Sequence, residues 1–247
     1  MNWKIFFQTY RVIDIKNDND LLYQVAATVG GKPITEKQFQ ALINSIKTGL
    51  QLSNKDVLLD LCCGNGIITY ELAKDVKEIA GIDISVPYIN NANRHKKADN
   101  ITYLLGDITD SGLIIDELHD KSFNRVLLRE ALAYFSPQDL NKILTYLYTL
   151  TAPDFRMMIS SVLDNDRKWN FFNTWRRKLT YIVKYRFLGM DSGIGRWWTR
   201  DEIETVARKC GYNCCFMDQD PILHTAHYRF DCLLTKRMNQ MSDRECY

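Results

Sequence analysis

No apolar run in the chain approaches the roughly 18 residues that a membrane-crossing helix needs, so a spanning segment is not expected. The opening Met1-Asn2-Trp3-Lys4-Ile5-Phe6-Phe7 is too short and too soon polar for a secretion signal, which makes a cytoplasmic protein the default. Glycine and proline are scarce, at 12 and 5 of 247 residues, and 46% of the chain is hydrophobic, which excludes a disordered or fibrous protein. Neither charge dominates: a net +2 gives no reason to expect nucleic acid as a partner. The seven cysteines are odd in number, so a disulfide framework is not expected. Cys210, Cys214 and Cys215 cluster without the second Cys-x-x-Cys or the His pair that a zinc shell requires, and no metal is expected.

What is present is an alternation of short apolar runs with helical patterns, the mark of βα units around a parallel sheet. Strands are expected at Val57 to Leu61, Glu78 to Asp83, Ile101 to Leu105, Phe123 to Leu128 and Phe155 to Ser161. Helices follow over about Ile67 to Lys74, Val86 to Lys97 (with Ser85 as N-cap and Pro87 in the first turn) and Pro137 to Leu150. Thr199-Arg200-Asp201-Glu202 reads as a capping box opening a helix that ends at Gly211. Tyr212 to Met217 and Tyr228 to Thr235 then form an antiparallel hairpin. Two regions break the rhythm: a mostly helical extension over residues 1–50, and a segment at 164–198 far longer than an ordinary connection. Residues 51–247 are expected to form the main domain.

A strand running into a glycine turn and then a helix N-terminus lets a ligand approach backbone N–H groups closely. Gly64 and Gly66 permit that approach because they carry no Cβ. Asp83 ends the next strand, about 20 residues on, where a carboxylate meets ribose hydroxyls. Asp107 ends the third strand beside the same crevice, and together the three strand ends describe a nucleoside site. The turn Cys62-Cys63-Gly64-Asn65-Gly66-Ile67-Ile68-Thr69 matches only two glycines of the dinucleotide pattern G-x-G-x-x-G. Asp60 would repel a pyrophosphate and favour an ammonium group.

Val57 to Gly66 resembles the first signature of class I S-adenosylmethionine-dependent methyltransferases, Gly81-Ile82-Asp83-Ile84-Ser85 the second, and Leu105-Gly106-Asp107-Ile108 the third. The likeness covers about residues 55–160 in order and spacing. It implies a Rossmann-like three-layer α/β sandwich with a seven-stranded, mostly parallel sheet whose last strand is antiparallel. It also implies S-adenosylmethionine as cofactor: Asp60 and Gly64 to Gly66, with Asn65 between them, around its methionine moiety; Asp83 and the adjoining Ile84 at the ribose; Asp107 and Ile108 at the adenine; and Arg129 or Glu130 below the sulfonium. Cys62 departs from the pattern, since many members have glycine there. The segment Leu21 to Pro33 resembles an N-terminal stretch of a subgroup in which it closes over the cofactor, making Gln24 and Thr28 candidate contacts.

The acceptor end is less defined. The insertion combines Trp169, Phe171, Phe172, Trp175, Tyr181, Tyr185, Phe187, Trp197 and Trp198 with eight Lys or Arg residues against Asp164, Asp166 and Asp191. Three readings stay open: recognition of an anionic small molecule by Arg forks and stacking; docking to an acidic carrier protein, nucleic acid or membrane surface; and an amphipathic helix that packs its aromatics inward. Candidate substrate contacts are Tyr134, Asp164, Trp169, Trp198 and Arg229. On a strand, His227, Arg229 and Asp231 would share one face, and His227 or His224 could take a proton from the acceptor.

The leading reading is an enzyme methylating an O or N atom of a small molecule, anionic or sugar-like. Arg129 to Phe135 lacks the Asn/Asp-Pro-Pro-Tyr/Phe pattern of enzymes that methylate base amines and the Pro-Cys nucleophile of cytosine C5 enzymes. A carrier-bound or macromolecular acceptor is the alternative, followed by an NAD-dependent oxidoreductase or a non-catalytic nucleoside-binding protein. The acceptor and the oligomeric state are not legible.

Overall fold

The computed structural model describes residues 2–110, 112, 118, 121–188 and 193–237. Met1, Asp191 and the end of the main domain expected over 51–247 therefore lie outside the described residues.

The chain opens with α1 (Trp3–Thr9) and α2 (Asp18–Gln24), followed by a short hairpin of β1 (Thr28–Val29) and β2 (Lys32–Pro33). That hairpin was not expected in a helical extension; Gly30 and Gly31, both at positive φ, turn it. Next comes α3 (Glu36–Leu50), started by a Thr35–Gln38 capping box. The sheet and its covering helices follow: β3 (Val57–Leu61), α4 (Ile67–Ala73), β4 (Glu78–Asp83), α5 (Val86–His95), β5 (Ile101–Leu105), β6 (Phe123–Arg129), α6 (Pro137–Leu150) and β7 (Thr151–Leu163). The insertion contains α7 (Lys168–Phe171), α8 (Trp175–Thr180) and a π-helical continuation over Tyr181–Phe187. The expected capping box, Thr199 with Glu202, starts α9 (Arg200–Lys209), and β8 (Tyr212–Asp218) and β9 (Arg229–Lys236) close the chain.

The seven-stranded sheet has the order β5-β4-β3-β6-β7-β9-β8, parallel except that β9 runs antiparallel to both neighbours. Strand β7 is longer than expected. It pairs Thr151 with Phe123, slips where Pro153 cannot donate, and resumes at Arg156 opposite Arg125. Period-two alternation divides the core between the two faces. Leu59, Leu61, Val126, Leu128 and Met157 pack with Leu140 and Leu144 of α6 and Ile203 of α9. Leu58, Leu127 and Met158 pack on the opposite side with Ile43 and Ile46 of α3 and Leu72 of α4. This is the three-layer sandwich. The N-terminal fifty residues supply much of that second layer.

From β3 the chain crosses to β4 and β5 on one side, then returns to β6 and β7 on the other. The reversal opens a crevice at the carboxyl ends of β3 and β6, where ligands bind in open α/β sheets.

Candidate functional site

A cavity of about 650 Å³ fills this crevice. One wall is the turn after β3. There Cys62 sits at φ 61°, the left-handed region that favours glycine, which gives a physical reason for glycine at this position in the enzymes the sequence resembles. The chain then swings back so that the Cys63 N–H donates to the Ile82 carbonyl at 3.0 Å. Gly66, at φ 76°, begins α4 where a Cβ would collide with the Tyr103 ring, so the turn can only close with glycine.

Asp83 reaches into the cavity with its carboxylate fixed from behind. One oxygen accepts the Gly64 N–H and the other the Ser85 N–H, each at 2.8 Å. Both oxygens keep a lone pair. Burial pushes its pKa up to about 6, with the hydrogen bonds from Ser85 and Gly64 pulling against it. Asp60 accepts the Thr69 hydroxyl at 2.7 Å and is raised further, to about 7, by burial. Asp107 is held differently. Burial works to raise it, but Lys4 and Thr109 bring it below the ordinary carboxylate range.

Lys4 belongs to α1, which roofs the cavity. Trp3 and Phe7 lie over Tyr134 with ring centroids 4.4 and 5.1 Å apart, and Phe7 also meets Tyr88 at 6.4 Å. Gln8 clamps the roof in place by donating to the Ile84 carbonyl at 2.9 Å and accepting the Val86 N–H at 3.2 Å. Ser85 stands at the N-cap of α5 as expected, with its hydroxyl donating to the Phe7 carbonyl at 2.7 Å instead of making a side-chain capping bond. None of the α1 residues was a candidate from the sequence. The signal was there: Trp3, Phe6, Phe7 and Tyr10 repeat at i, i+3, i+4 and i+7.

The opposite wall comes from β6, β7 and the approach to β9. Glu130 at φ 54° turns sharply just past the end of β6, and Ser161 at φ 65° turns inside β7, within the bulge between β7 and β9. The Glu130 carboxylate pairs with Arg129 at 2.7 Å and Arg229 at 3.5 Å, and accepts the Ser161 hydroxyl at 3.3 Å. Burial alone would raise Glu130; the two arginines and His224 outweigh it and keep the group below its usual range. His224 faces the same cavity, and burial lowers its pKa although Glu130 opposes the shift. Tyr134 and Tyr228 complete this end.

Most of the expected positions line the cavity: Asp60, Cys62, Gly64, Asp83, Ile84, Asp107 and Ile108 on the β3–β5 side; Arg129, Glu130, Tyr134, His224 and Arg229 on the other; and Thr28 from β1. Others do not. Asn65 and Gln24 are buried behind the turn, where Asn65 Nδ2 donates to the Leu21 carbonyl at 2.8 Å and to Gln24 Oε1 at 2.9 Å. They lock the N-terminal segment to the glycine turn and are not among the lining residues, nor is Gly66. His227 is exposed because the Thr225–Tyr228 turn ends just before β9 begins at Arg229, so strand alternation does not govern it. Trp198 is wholly buried in the core, its indole N–H donating to the Leu132 carbonyl at 3.0 Å. Asp164 bridges to Trp198 and pairs with Arg167 at 3.4 Å; Trp169 packs on Phe172 and Tyr181. Neither lines the cavity.

A family profile described as "Methyltransferase domain" matches residues 58–154, the span from β3 into β7 that carries the glycine turn, Asp83 and Asp107. The match covers less than half of the chain, and over it the protein is similar to methyltransferase domains. Among solved structures, an S-adenosylmethionine-dependent methyltransferase from Anabaena variabilis shares the fold with a TM-score of 0.62 at 17% identity, covering 96% of each chain. Magnesium protoporphyrin IX methyltransferase from Synechocystis, solved with S-adenosylhomocysteine, gives 0.61 at 14% identity over 95% of this chain and 98% of that one. At such identities these neighbours speak to the fold. The 23S rRNA (uracil(1939)-C(5))-methyltransferase of Haemophilus influenzae is 32% identical over 92 residues, 36% of this chain. The chain spans about a fifth (21%) of that relative's length.

Proposed function

We propose that the chain transfers a methyl group from S-adenosylmethionine to an oxygen or nitrogen atom of a small, anionic acceptor. The observation that carries the reading is a roofed cavity with two chemically different sides. Carboxylates at the ends of β3, β4 and β5 occupy one, and Glu130, His224 and Arg229 the other. Its volume falls within the roughly 300–1,000 Å³ of ligand pockets.

The residues of the first side fit the donor. Asp83, gripped by two backbone N–H groups, has free lone pairs for ribose hydroxyls. Asp60 offers a carboxylate to an ammonium group, and Ile84 and Ile108 offer apolar contact to a purine. Thr28 reaches the same cavity from the N-terminal hairpin. Bound there, the donor supplies an already activated methyl electrophile. The chain then has to align the acceptor, exclude water and accept a proton. Arg229 supplies a cation for an acidic acceptor group. His224, its pKa lowered by burial, is neutral at pH 7 and able to take a proton from an acceptor hydroxyl. The roof formed by Trp3, Lys4 and Phe7 keeps water out.

A second reading, RNA as acceptor, is favoured by the Haemophilus influenzae relative, whose name assigns it to a uracil of 23S rRNA. Against it stands the roof, which leaves less room for a nucleotide within a long strand. The test is methyl transfer from labelled S-adenosylmethionine by the full chain, offered total RNA and, separately, a pool of small anionic metabolites. Label in the low-mass fraction supports the proposal; label confined to RNA overturns it. Calorimetry that found NAD bound and S-adenosylhomocysteine unbound would sink both readings.

A further inference from the structure

The described part of the insertion contains a surface that the cavity does not use. From Arg167 to Leu188 the sequence has seven Lys or Arg residues and no Asp or Glu. Within it, α8 and its π-helical continuation form one rod from Trp175 to Phe187. The inner side is held down by rings: Tyr181 lies 4.6 Å from Phe172 and 5.6 Å from Trp169, and Tyr185 6.0 Å from Tyr181. The outer side is apolar yet open to solvent. Trp175 is 70% exposed, Leu179 53%, Ile182 45%, Val183 44% and Phe187 86%. These positions fall at i, i+4, i+7, i+8 and i+12, a stripe along one face. Arg176, Arg177, Lys178 and Lys184 flank the stripe and are themselves exposed, and among the described residues no carboxylate pairs with them.

We propose that this rod docks the protein, in the plane of the interface, on a membrane surface rich in anionic lipid. An exposed Trp, Leu, Ile, Val and Phe stripe beside cations is the composition that buries its apolar side at the headgroup–acyl boundary while Lys and Arg meet lipid phosphates. Other occupants fit less well. Trp175 and Phe187 offer rings at the two ends only, and aliphatic Leu179, Ile182 and Val183 between them give successive nucleobases nothing to stack on. A two-fold interface with a second copy would set the same cations against each other. No helix among the described residues is long and apolar enough to cross a membrane, so the docking is peripheral. It does not depend on the catalytic reading.

The experiment is flotation of the full chain with vesicles of phosphatidylcholine alone and of phosphatidylcholine with an equal part of phosphatidylglycerol. The wild type should float with the anionic vesicles, not the neutral ones, and less so as salt is raised. Trp175→Glu combined with Phe187→Glu should weaken partitioning by at least about tenfold. Each of Arg176→Gln, Arg177→Gln and Lys178→Gln should weaken it roughly fivefold. Unchanged thermal unfolding of these surface variants shows that the fold persists. Failure of the wild type to bind anionic vesicles overturns the proposal, as does undiminished binding by the apolar double variant. So does a dimer, or an RNA complex, that the double variant breaks while vesicles go unbound.

Discussion

The two sides of the cavity are built in opposite ways. The β3–β5 side is the more local: each carboxylate stands at or just past the end of one strand, in successive βα units, although Lys4 of α1 also reaches Asp107. The other side is assembled from afar. Glu130, Ser161, His224 and Arg229 come from separate stretches and meet only because β7 and β9 pair with a bulge at Ser160 and Ser161. A local site is legible and tolerant of distant change; an assembled one is neither.

Substitutions can test that contrast. The largest effect is expected on the assembled side. His224→Asn should lower the turnover of a hydroxyl acceptor by about 10²–10⁴-fold while leaving S-adenosylhomocysteine affinity unchanged in calorimetry. Because burial lowers the His224 pKa below 6.5, the wild-type rate should be level at neutral pH and fall as pH drops through that lowered value. A variant with full turnover would remove His224 from the chemistry.

The next effect belongs to the local side. Asp83→Ala removes charge-assisted hydrogen bonds worth roughly 1.5–3 kcal/mol each, so cofactor affinity should fall by at least about tenfold. Equal dissociation constants for variant and wild type would refute the ribose assignment.

The smallest effect is a proton. Burial raises the Asp60 pKa to about 7, so part of the free protein carries that proton near neutral pH. A cation placed beside the carboxylate lowers its pKa, so binding should release a fraction of a proton near pH 7 and weaken as pH falls. Calorimetry in buffers of different ionisation enthalpy measures the release. Proton uptake, or none, would contradict the pairing of Asp60 with an ammonium group.

Several features were readable from single residues and spacings. The Val57–Leu61 run, the glycine turn and the Thr199–Glu202 capping box depend on neighbours within a few residues, and Asp83 on a strand that follows at ordinary βα spacing. Other residues misled for an identifiable reason. Trp198 looked like a stacking surface, but its indole N–H finds the Leu132 carbonyl 66 residues away and the ring fills the core. His227 looked like a strand residue, but a turn closes one position too late. Gln24 looked like a ligand contact and is instead the anchor of Asn65.

The sequence by itself determined the order of strands and helices from β3 onward and the glycine turn, Asp83 and Asp107 that line one side of the cavity. Periodicity, turn chemistry and strand-end carboxylates are short-range and survive any packing. Only the tertiary structure decided that α1 is the roof, that Glu130 and Arg229 face His224, and that the insertion turns Tyr181 inward and leaves an apolar stripe outside. Those outcomes depend on which buried surfaces meet across the sheet, and a one-dimensional pattern does not carry that information.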